Sequence, residues 1–268
     1  MNEPIFNDST TAEIEARLLR DVLIHENKIV NISLTVIIIL IFLFRGWIGY
    51  WLKFGIAIPT KLAARPVITK EEPIQTDYTE TESLQKTFTY TSLINKHRIK
   101  IIPVAHYELS GLTVAYNHDF FFVNDFFDSA ALYDIGTSWG DIGEKKVYNK
   151  YFKSYSEKTA ITGTRILWTN YKTYPTPISI DYAKAHWSHS HLVPANRNIM
   201  AALLKIKKWD KVKIEGDLID MEYQYKNGYK SYYRTSMGRN DTENDDRGNG
   251  TSETIYVTKV QIGNLIYQ

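Results

Sequence analysis

The feature that most constrains this chain is an apolar run near its amino terminus, IVNISLTVIIILIFLFRGWIGYWL at residues 29–52. A helix rises about 1.5 Å per residue, so a helix over this run would be roughly 36 Å long, enough to cross a hydrocarbon core of about 30 Å. No charge occurs from Ile29 to Phe44, and Trp47 and Trp51 follow where interfacial aromatic residues are expected. The sequence predicts one N-terminal transmembrane helix at residues 29–53, with a buried core helix as the alternative.

The residues on either side of this run divide the rest of the chain into three parts. Residues 1–28 have the pattern of an amphipathic segment that leads into the membrane. Residues 54–86 are rich in Pro, Thr and Glu, which is typical of a linker. Residues 87–268 remain as a soluble domain, long enough to bury a core of its own.

Basic residues around the run bear on its orientation. Three of them precede it (Arg17, Arg20 and Lys28), and five lie at or beyond its far end. Taken literally, the positive-inside rule places the carboxyl side in the cytoplasm.

The soluble domain has the alternation of β-strands. Predicted strands include TFTYTSLI, GLTVAY, TRILWTNY, ISIDYAKAHW and ETIYVTKVQI, and Asn227-Gly228 predicts a hairpin between tyrosine-rich arms. One helix, in PANRNIMAALLKIKKWD, is predicted to begin near Pro194 and to end in a lysine-rich turn. The strand DKVKIEGDL, with a bulge at Gly216, resembles strands of OB barrels. The predicted fold is therefore mainly β (α+β), antiparallel and partly OB-like.

Composition excludes several function classes. The chain has 32 Lys and Arg against 30 Asp and Glu, a net charge of +2, which gives no electrostatic footprint for nucleic acid. It has no cysteine, and therefore no disulfide, zinc knuckle or thiol nucleophile. The phosphate-loop pattern GxGxxG is absent too.

Three histidines fall close together in AHWSHSHLVPANRN. On a strand, His189 and His191 would share one face and His186 would take the other. Two histidines do not complete a zinc site, so a third ligand would have to come from His106, His118 or a carboxylate. The favoured interpretation is that His191 is structural and its two neighbours lie at the surface, so no metal, cofactor or catalytic residue is predicted. A metal site at His189 and His191 is the alternative.

Two further stretches contain residue types found in binding sites. The acidic loop at residues 238–253 resembles a calcium loop that begins at Asp241, but it has Asp246 where glycine is needed and Ser252 where glutamate is needed. A solvated turn is the preferred interpretation. The tyrosines of one segment could offer surfaces on which nucleic-acid bases stack. The preferred interpretation is ordinary pairing of tyrosines across neighbouring strands. The residues of this segment are Tyr223, Tyr225, Tyr229, Tyr232 and Tyr233, beside Lys226 and Lys230.

The stretches YDIGTSWGD, SHSHLVPANRNI, DKVKIEGDL and RGNGTSETIYV, in this order behind one apolar span, resemble a family of bacterial single-pass membrane-anchored proteins of unassigned function. The resemblance covers about residues 106–262. In that pattern a cysteine often stands at the positions of Gly136 and Ser252, and a pairing of the two would imply an oxidising compartment. The resemblance thus favours an extracytoplasmic domain, against the charge rule.

Together these features predict a single-pass protein of the cell inner membrane that acts as a non-catalytic binding or assembly component of a membrane complex. Its expected partners are the lipid bilayer and membrane proteins or further copies of itself, and nucleic acid is not expected. The alternative function is a metal-dependent hydrolase that uses the His186, His189 and His191 cluster.

Overall fold

The computed structural model describes Arg17, Arg20 and residues 55–93, 96–118, 126–158, 165–172, 175–235, 237 and 252–268. Residues Gly55–Gln268 form one compact unit. The predicted membrane helix at 29–53 lies outside the described residues, as does the 1–28 segment apart from two arginines. Within the described ranges, no helix is both long enough and apolar enough to cross a membrane.

The described chain is mainly β and mostly antiparallel, as the sequence predicts. The strands are β1 (Lys61–Leu62), β2 (Ile74–Asp77), β3 (Phe88–Thr91), β4 (Arg98–His118), β5 (Tyr133–Ser138), β6 (Phe152–Lys158), β7 (Arg165–Tyr171), β8 (Trp187–Pro194), β9 (Lys211–Gln224), β10 (Lys230–Tyr233), β11 (Ser252–Ile262) and β12 (Leu265–Tyr267). The helices are α1 (Glu80–Lys86), α2 (Phe126–Ala130), α3 (Lys145–Tyr151), α4 (Ile180–Ala185) and α5 (Arg197–Leu203), with a 3-10 turn at Gly140–Gly143.

Five of these strands form a closed ring of hydrogen-bonded neighbours in the order β4, β5, β8, β11, β9 and back to β4. The β8–β11 pair is parallel and the other four pairs are antiparallel. The ring is a barrel, and each of its strands contributes a fully buried side chain to one apolar cluster, the barrel cluster: Leu109, Ile135, Leu192, Ile214 and Ile255. Because the ring closes on itself, these strands gain partners on both edges.

Helix α5 connects β8 to β9 and packs on the same apolar cluster. Asn196 caps it by accepting a hydrogen bond from the Ile199 amide at 2.9 Å, and residues Ile199 to Leu203 are all buried. The helix is shorter than the sequence predicts, because Pro194 still belongs to β8 and the helix ends before the lysines. Beyond it, the Tyr133 hydroxyl donates to the Ile206 carbonyl at 2.8 Å and holds the chain in a turn.

The segment predicted as a linker over residues 54–86 contributes three elements to the folded unit from Gly55 onwards. Strand β1 pairs with β12, β2 pairs with β4, and α1 begins with a capping box between Thr79 and Glu82. Val67 and Thr69 in this segment are buried. The Pro and Thr residues of this segment therefore belong to short edge strands and turns, and the segment is not a free tether.

Local patterns predict the strands unequally well. The Asn227-Gly228 hairpin is confirmed, with Gly228 at a φ of 84° between β9 and β10. The bulge lies opposite Gly216, in β11, where the pairing shifts between Val257 and Lys259. The predicted strand ISIDYAKAHW is wrong except at its last residue: the Ser179 hydroxyl accepts a hydrogen bond from the Tyr182 amide, caps α4, and delays the strand until Trp187.

We expect the stability of the folded unit to depend on residues 55–84. A fragment of residues 55–268 should remain soluble without detergent and unfold in one transition, whereas residues 85–268 should melt about 5–10 °C lower. The shorter fragment loses the burial of Ala57 and Val67, worth a few kcal/mol, and the strands that cover β12 and β4. Circular dichroism melts of both fragments measure the difference, and equal midpoints would show that residues 55–84 are a tether after all.

Candidate functional site

His189 and His191 lie on β8, which is buried along its whole length. Side chains alternate across a strand, so Leu192 points into the barrel cluster while its odd-numbered neighbours lie on the outer face. On that outer face, Trp187 and Val193 join two separate apolar clusters. His189 and His191 occupy the two positions between them, in a polar gap in an otherwise apolar row.

The neighbouring strand places a carboxylate against both histidines. In the β5–β8 register Asp134 lies opposite His191, and its Oδ1 is 2.8 Å from His191 Nδ1. Its Oδ2 lies 3.8 Å from His189 Nε2, and the two imidazole rings are 4.5 Å apart between centroids. Asp134 is fully buried and each histidine is 8% exposed. Three potential metal ligands therefore converge, their donor atoms all within 4.8 Å of one another.

The two nitrogens of His189 have different surroundings. Nδ1 lies 3.5 Å from the Ser252 hydroxyl, at the outer limit of a hydrogen bond. Nε2 is buried and has no hydrogen-bond partner among the residues that the structure describes. Buried polar atoms normally have a partner, so this nitrogen calls for a cause.

A cavity of about 370 Å³ opens beside His189. Its walls come from the β6–β7 hairpin and α4, and its floor from β8 and the first residue of β11. The lining residues are Phe152, Leu167, Thr169, Asn170, Tyr171, Ile180, Ala183, Lys184, Trp187, His189 and Ser252. The cavity thus combines aromatic and aliphatic walls with a few polar groups, a composition typical of small-molecule sites.

A hydroxyl network fixes the hairpin wall of this cavity. The Tyr148 hydroxyl lies 2.6 Å from that of Ser154 and also hydrogen-bonds Thr169, which lines the cavity. Burial raises the pKa of Tyr148 to about 12, so this hydroxyl stays protonated at neutral pH. The network positions the wall and carries no charge.

His186 lies apart from the other two histidines, at the carboxyl end of α4. Its Nε2 is 2.9 Å from Glu72, its Nδ1 is 2.8 Å from the Tyr182 carbonyl oxygen, and its ring stacks on that of Tyr182. His186 therefore joins residues 55–86 to α4.

The interpretation of His189 as a surface residue is wrong, because β6, β7 and α4 cover this face of β8.

Neither histidine considered as a third ligand reaches the cluster. His106 is on β4, within 3.6 Å of Glu108 and Asp217. His118 stacks near Tyr116 and Tyr133. The third potential ligand is Asp134: the sequence allows a carboxylate in this role but does not single out this residue. A charged residue in the short strand YDIGTS was the available signal, because buried strands rarely carry an unpaired carboxylate.

The remaining candidates form no site in the described residues. Residues 238–251 of the acidic loop lie outside them, and Ser252 and Glu253 begin β11. The tyrosines near the hairpin contact each other: the rings of Tyr223 and Tyr225 are 4.7 Å apart, and those of Tyr225 and Tyr229 are 5.7 Å apart. The second contact crosses the hairpin, whereas the first lies along one arm, opposite Ser231 in the register.

The register also bears on the disulfide that the resemblance implies. Gly136 and Ser252 both lie opposite His189, one on each side of β8. With one strand between them, their Cα atoms are separated by two strand spacings, about 10 Å, which is too far for a disulfide. Cysteines at these positions would flank His189 and would not bridge directly.

Comparison with known proteins assigns no family, since no protein-family model matches the chain and no curated protein matches its sequence.

We expect His191 to contribute more to stability than an exposed histidine beside carboxylates. His191→Ala leaves the buried Asp134 carboxylate without its 2.8 Å partner, and should lower the free energy of unfolding by about 1–3 kcal/mol. His106→Ala is the matched control, because this side chain is 42% exposed and its ion pairs contribute less than about 1 kcal/mol. Urea titrations of residues 55–268 with a chelator present measure both. Equal losses would show that the buried pair has no special role.

Proposed function

We propose that this chain is a membrane-anchored binding component, in which an OB-like barrel carries a small-ligand site in the cavity beside His189. The observation that carries the proposal is the cavity itself, with apolar walls and a polar floor. The anchor and the barrel are supported by separate features of the chain.

Strand order supports an OB-like barrel. OB folds are five-stranded Greek-key barrels that bind ligands on one face and in the adjoining loops. Here five strands close a ring, one pair in it is parallel, and helix α5 lies between the third and fourth ring strands in chain order. The cavity lies on the outer face of β8, which is the third of these strands.

Two features support attachment to a membrane. The apolar run at residues 29–52 has the length and the aromatic flank of a spanning helix. Soon after it, Ile56, Ile58 and Leu62 are each at least 63% exposed in the folded unit. These three side chains fall within seven residues of the chain, and contiguous exposed apolar surface is typical of sites that contact lipid or protein.

The cavity lining indicates the chemistry of its ligand. Phe152, Leu167 and Trp187 offer apolar contact, whereas His189 and Ser252 offer polar contact at the floor. Lys184 adds a positive charge to the lining and is exposed. These groups favour an amphipathic ligand with an apolar body and a polar or anionic end.

A photo-crosslinker placed in the cavity tests this function in cells. Benzoylphenylalanine at Lys184 of the full chain should give a discrete adduct in carbonate-washed membranes, because the side chain lines the cavity. The same group at Tyr232, which is exposed and outside the lining, is the matched control and should give none. Ala183→Phe, which fills the cavity, should remove the Lys184 adduct.

Two outcomes would contradict the proposal. A chain that leaves the membrane fraction on carbonate washing is not anchored by residues 29–52. An adduct that persists unchanged when Phe fills position 183 does not come from the cavity.

A second candidate function, a metal-dependent hydrolase, is favoured by the convergence of Asp134, His189 and His191 beside the cavity. Three protein ligands with an open position are typical of catalytic zinc, which lowers the pKa of bound water to about 7. Asp134 takes the place that the sequence analysis gave to His186.

Turnover of simple esters separates the two functions. With Zn²⁺ present, the hydrolase candidate should hydrolyse 4-nitrophenyl acetate or bis(4-nitrophenyl) phosphate, and His189→Gln should lower the rate more than about 100-fold. His106→Gln should leave the rate unchanged. A wild-type rate no higher than that of buffer with Zn²⁺ would exclude hydrolysis of these substrates and favour the binding function.

A further inference from the structure

We infer that Asp134, His189 and His191 bind one divalent transition-metal ion, whose open coordination position faces the cavity and takes the anionic end of the ligand. The metal assignment stands on the cluster alone. The ligand assignment rests on the proposed function, in which the cavity is the binding site.

Donor spacing is the first support. Tetrahedral zinc with bonds of about 2.0–2.2 Å separates its ligand atoms by roughly 3.4 Å. Asp134 Oδ1 and His191 Nδ1 are 2.8 Å apart, and Asp134 Oδ2 and His189 Nε2 are 3.8 Å apart. One separation is shorter and one longer than this value, and one donor atom from each of the three residues lies within 4.8 Å of the other two, so side-chain rotations must bring the donors around one ion.

Charge is the second support. The Asp134 carboxylate is fully buried, and the groups around the cluster include the aromatic ring of Phe127, 5.0 Å from that of His191, and the apolar side chains of Trp187 and Val193. A carboxylate carries a negative charge, and burial of a charge is costly unless an opposite charge lies beside it. A bound dication reverses the sign of that charge and replaces the lost hydration with three ligand bonds.

The unpartnered nitrogen of His189 is the third support. If Nδ1 keeps its proton and directs it at the Ser252 hydroxyl, Nε2 carries a lone pair that faces Asp134 Oδ2. Two lone pairs facing each other at 3.8 Å repel unless a cation lies between them. If Nε2 carries the proton instead, 3.8 Å is too long for a hydrogen bond. A metal ion between Nε2 and Oδ2 removes the repulsion. Metal-bound histidines usually donate their other ring N–H to an acceptor, and the Ser252 hydroxyl is placed to accept from Nδ1.

The ligand set indicates the class of metal. Two imidazoles and one carboxylate favour Zn²⁺, Fe²⁺ or another borderline transition metal over Mg²⁺ or Ca²⁺, which prefer oxygen ligands alone. Three protein ligands leave at least one position open. His189 lines the cavity, so an exogenous ligand reaches this position from the cavity side. A carboxylate or phosphate joined to an apolar tail matches both the ion and the walls.

Cobalt(II) is the probe for the metal, because its visible absorption reports coordination directly. The purified full chain, stripped with a chelator, should bind one equivalent of Co²⁺, and Zn²⁺ should displace it. Asp134→Asn and His189→Gln should each weaken binding more than about 100-fold, since each loses a direct ligand. His106→Gln, which changes a histidine beside two other carboxylates, should bind as the wild type does.

Octanoate is the probe for the open position. Added to the Co²⁺-loaded chain, it should shift the absorption bands, and Ala183→Phe should abolish the shift while Co²⁺ binding remains. A loaded chain whose spectrum does not respond to octanoate overturns the ligand assignment.

The wild-type titration decides the metal site even if a variant fails to fold. If the wild type forms no one-equivalent Co²⁺ complex, the metal site is wrong. If both ligand variants bind Co²⁺ as the wild type does, the ion is bound adventitiously at the surface and the metal site is also wrong. A metal-free result combined with a cavity-dependent adduct at Lys184 would remove the metal and leave the binding function standing. A chain that binds the metal but gives no such adduct would remove the binding function and leave the metal site standing.

Discussion

The arrangement of the rest of the domain depends on the parallel pairing of β8 with β11. It closes the five-strand ring, because β8 is already held by β5 on its other edge. A parallel pair cannot be joined by a tight turn, so the chain between these strands must travel back along the barrel. Helix α5 and strand β9 make part of that return, and α5 contributes Ile199 and Leu203 to the barrel cluster on the way.

With both edges bonded, β8 is also covered on both faces, and its side chains meet different environments on each. Ser190 lies on the barrel side, where its hydroxyl is 3.4 Å from the buried Glu253 carboxylate. His189 and His191 lie on the outer side, against Asp134. A slip of one residue in β8 would exchange the two sets and place imidazoles in the barrel core. The polar positions therefore help to specify the register, since burying any of them without its partner is costly.

The sequence predicts what is encoded locally and misses what depends on distant strands. Asn227-Gly228 predicts its hairpin because only a few residue types accept the positive φ that the turn requires. Helix α4 was missed because its pattern is short enough to pass for a strand, and a single cap at Ser179 decides between the two. Strand β1 was assigned to a linker because its partner β12 lies about 200 residues away in the chain. Asp134 could not be singled out from the sequence for the same reason. It meets His191 only through the register of β5 on β8, which no local pattern records.

The three histidines that appear equivalent in the sequence differ in how fully the fold accounts for them. His186 has both ring nitrogens engaged and stacks on Tyr182, so a structural role explains its position. His191 has a short hydrogen bond to Asp134 and an edge contact with Phe127, which also suffices. His189 is as buried as His191, yet its Nε2 lacks a hydrogen bond within the described chain and its side chain lines a cavity. Packing alone would favour an apolar residue there, like Trp187 two positions before it. Because a buried imidazole nitrogen without a partner is destabilising, the presence of His189 at the cavity floor is best explained by what the cavity or the cluster binds.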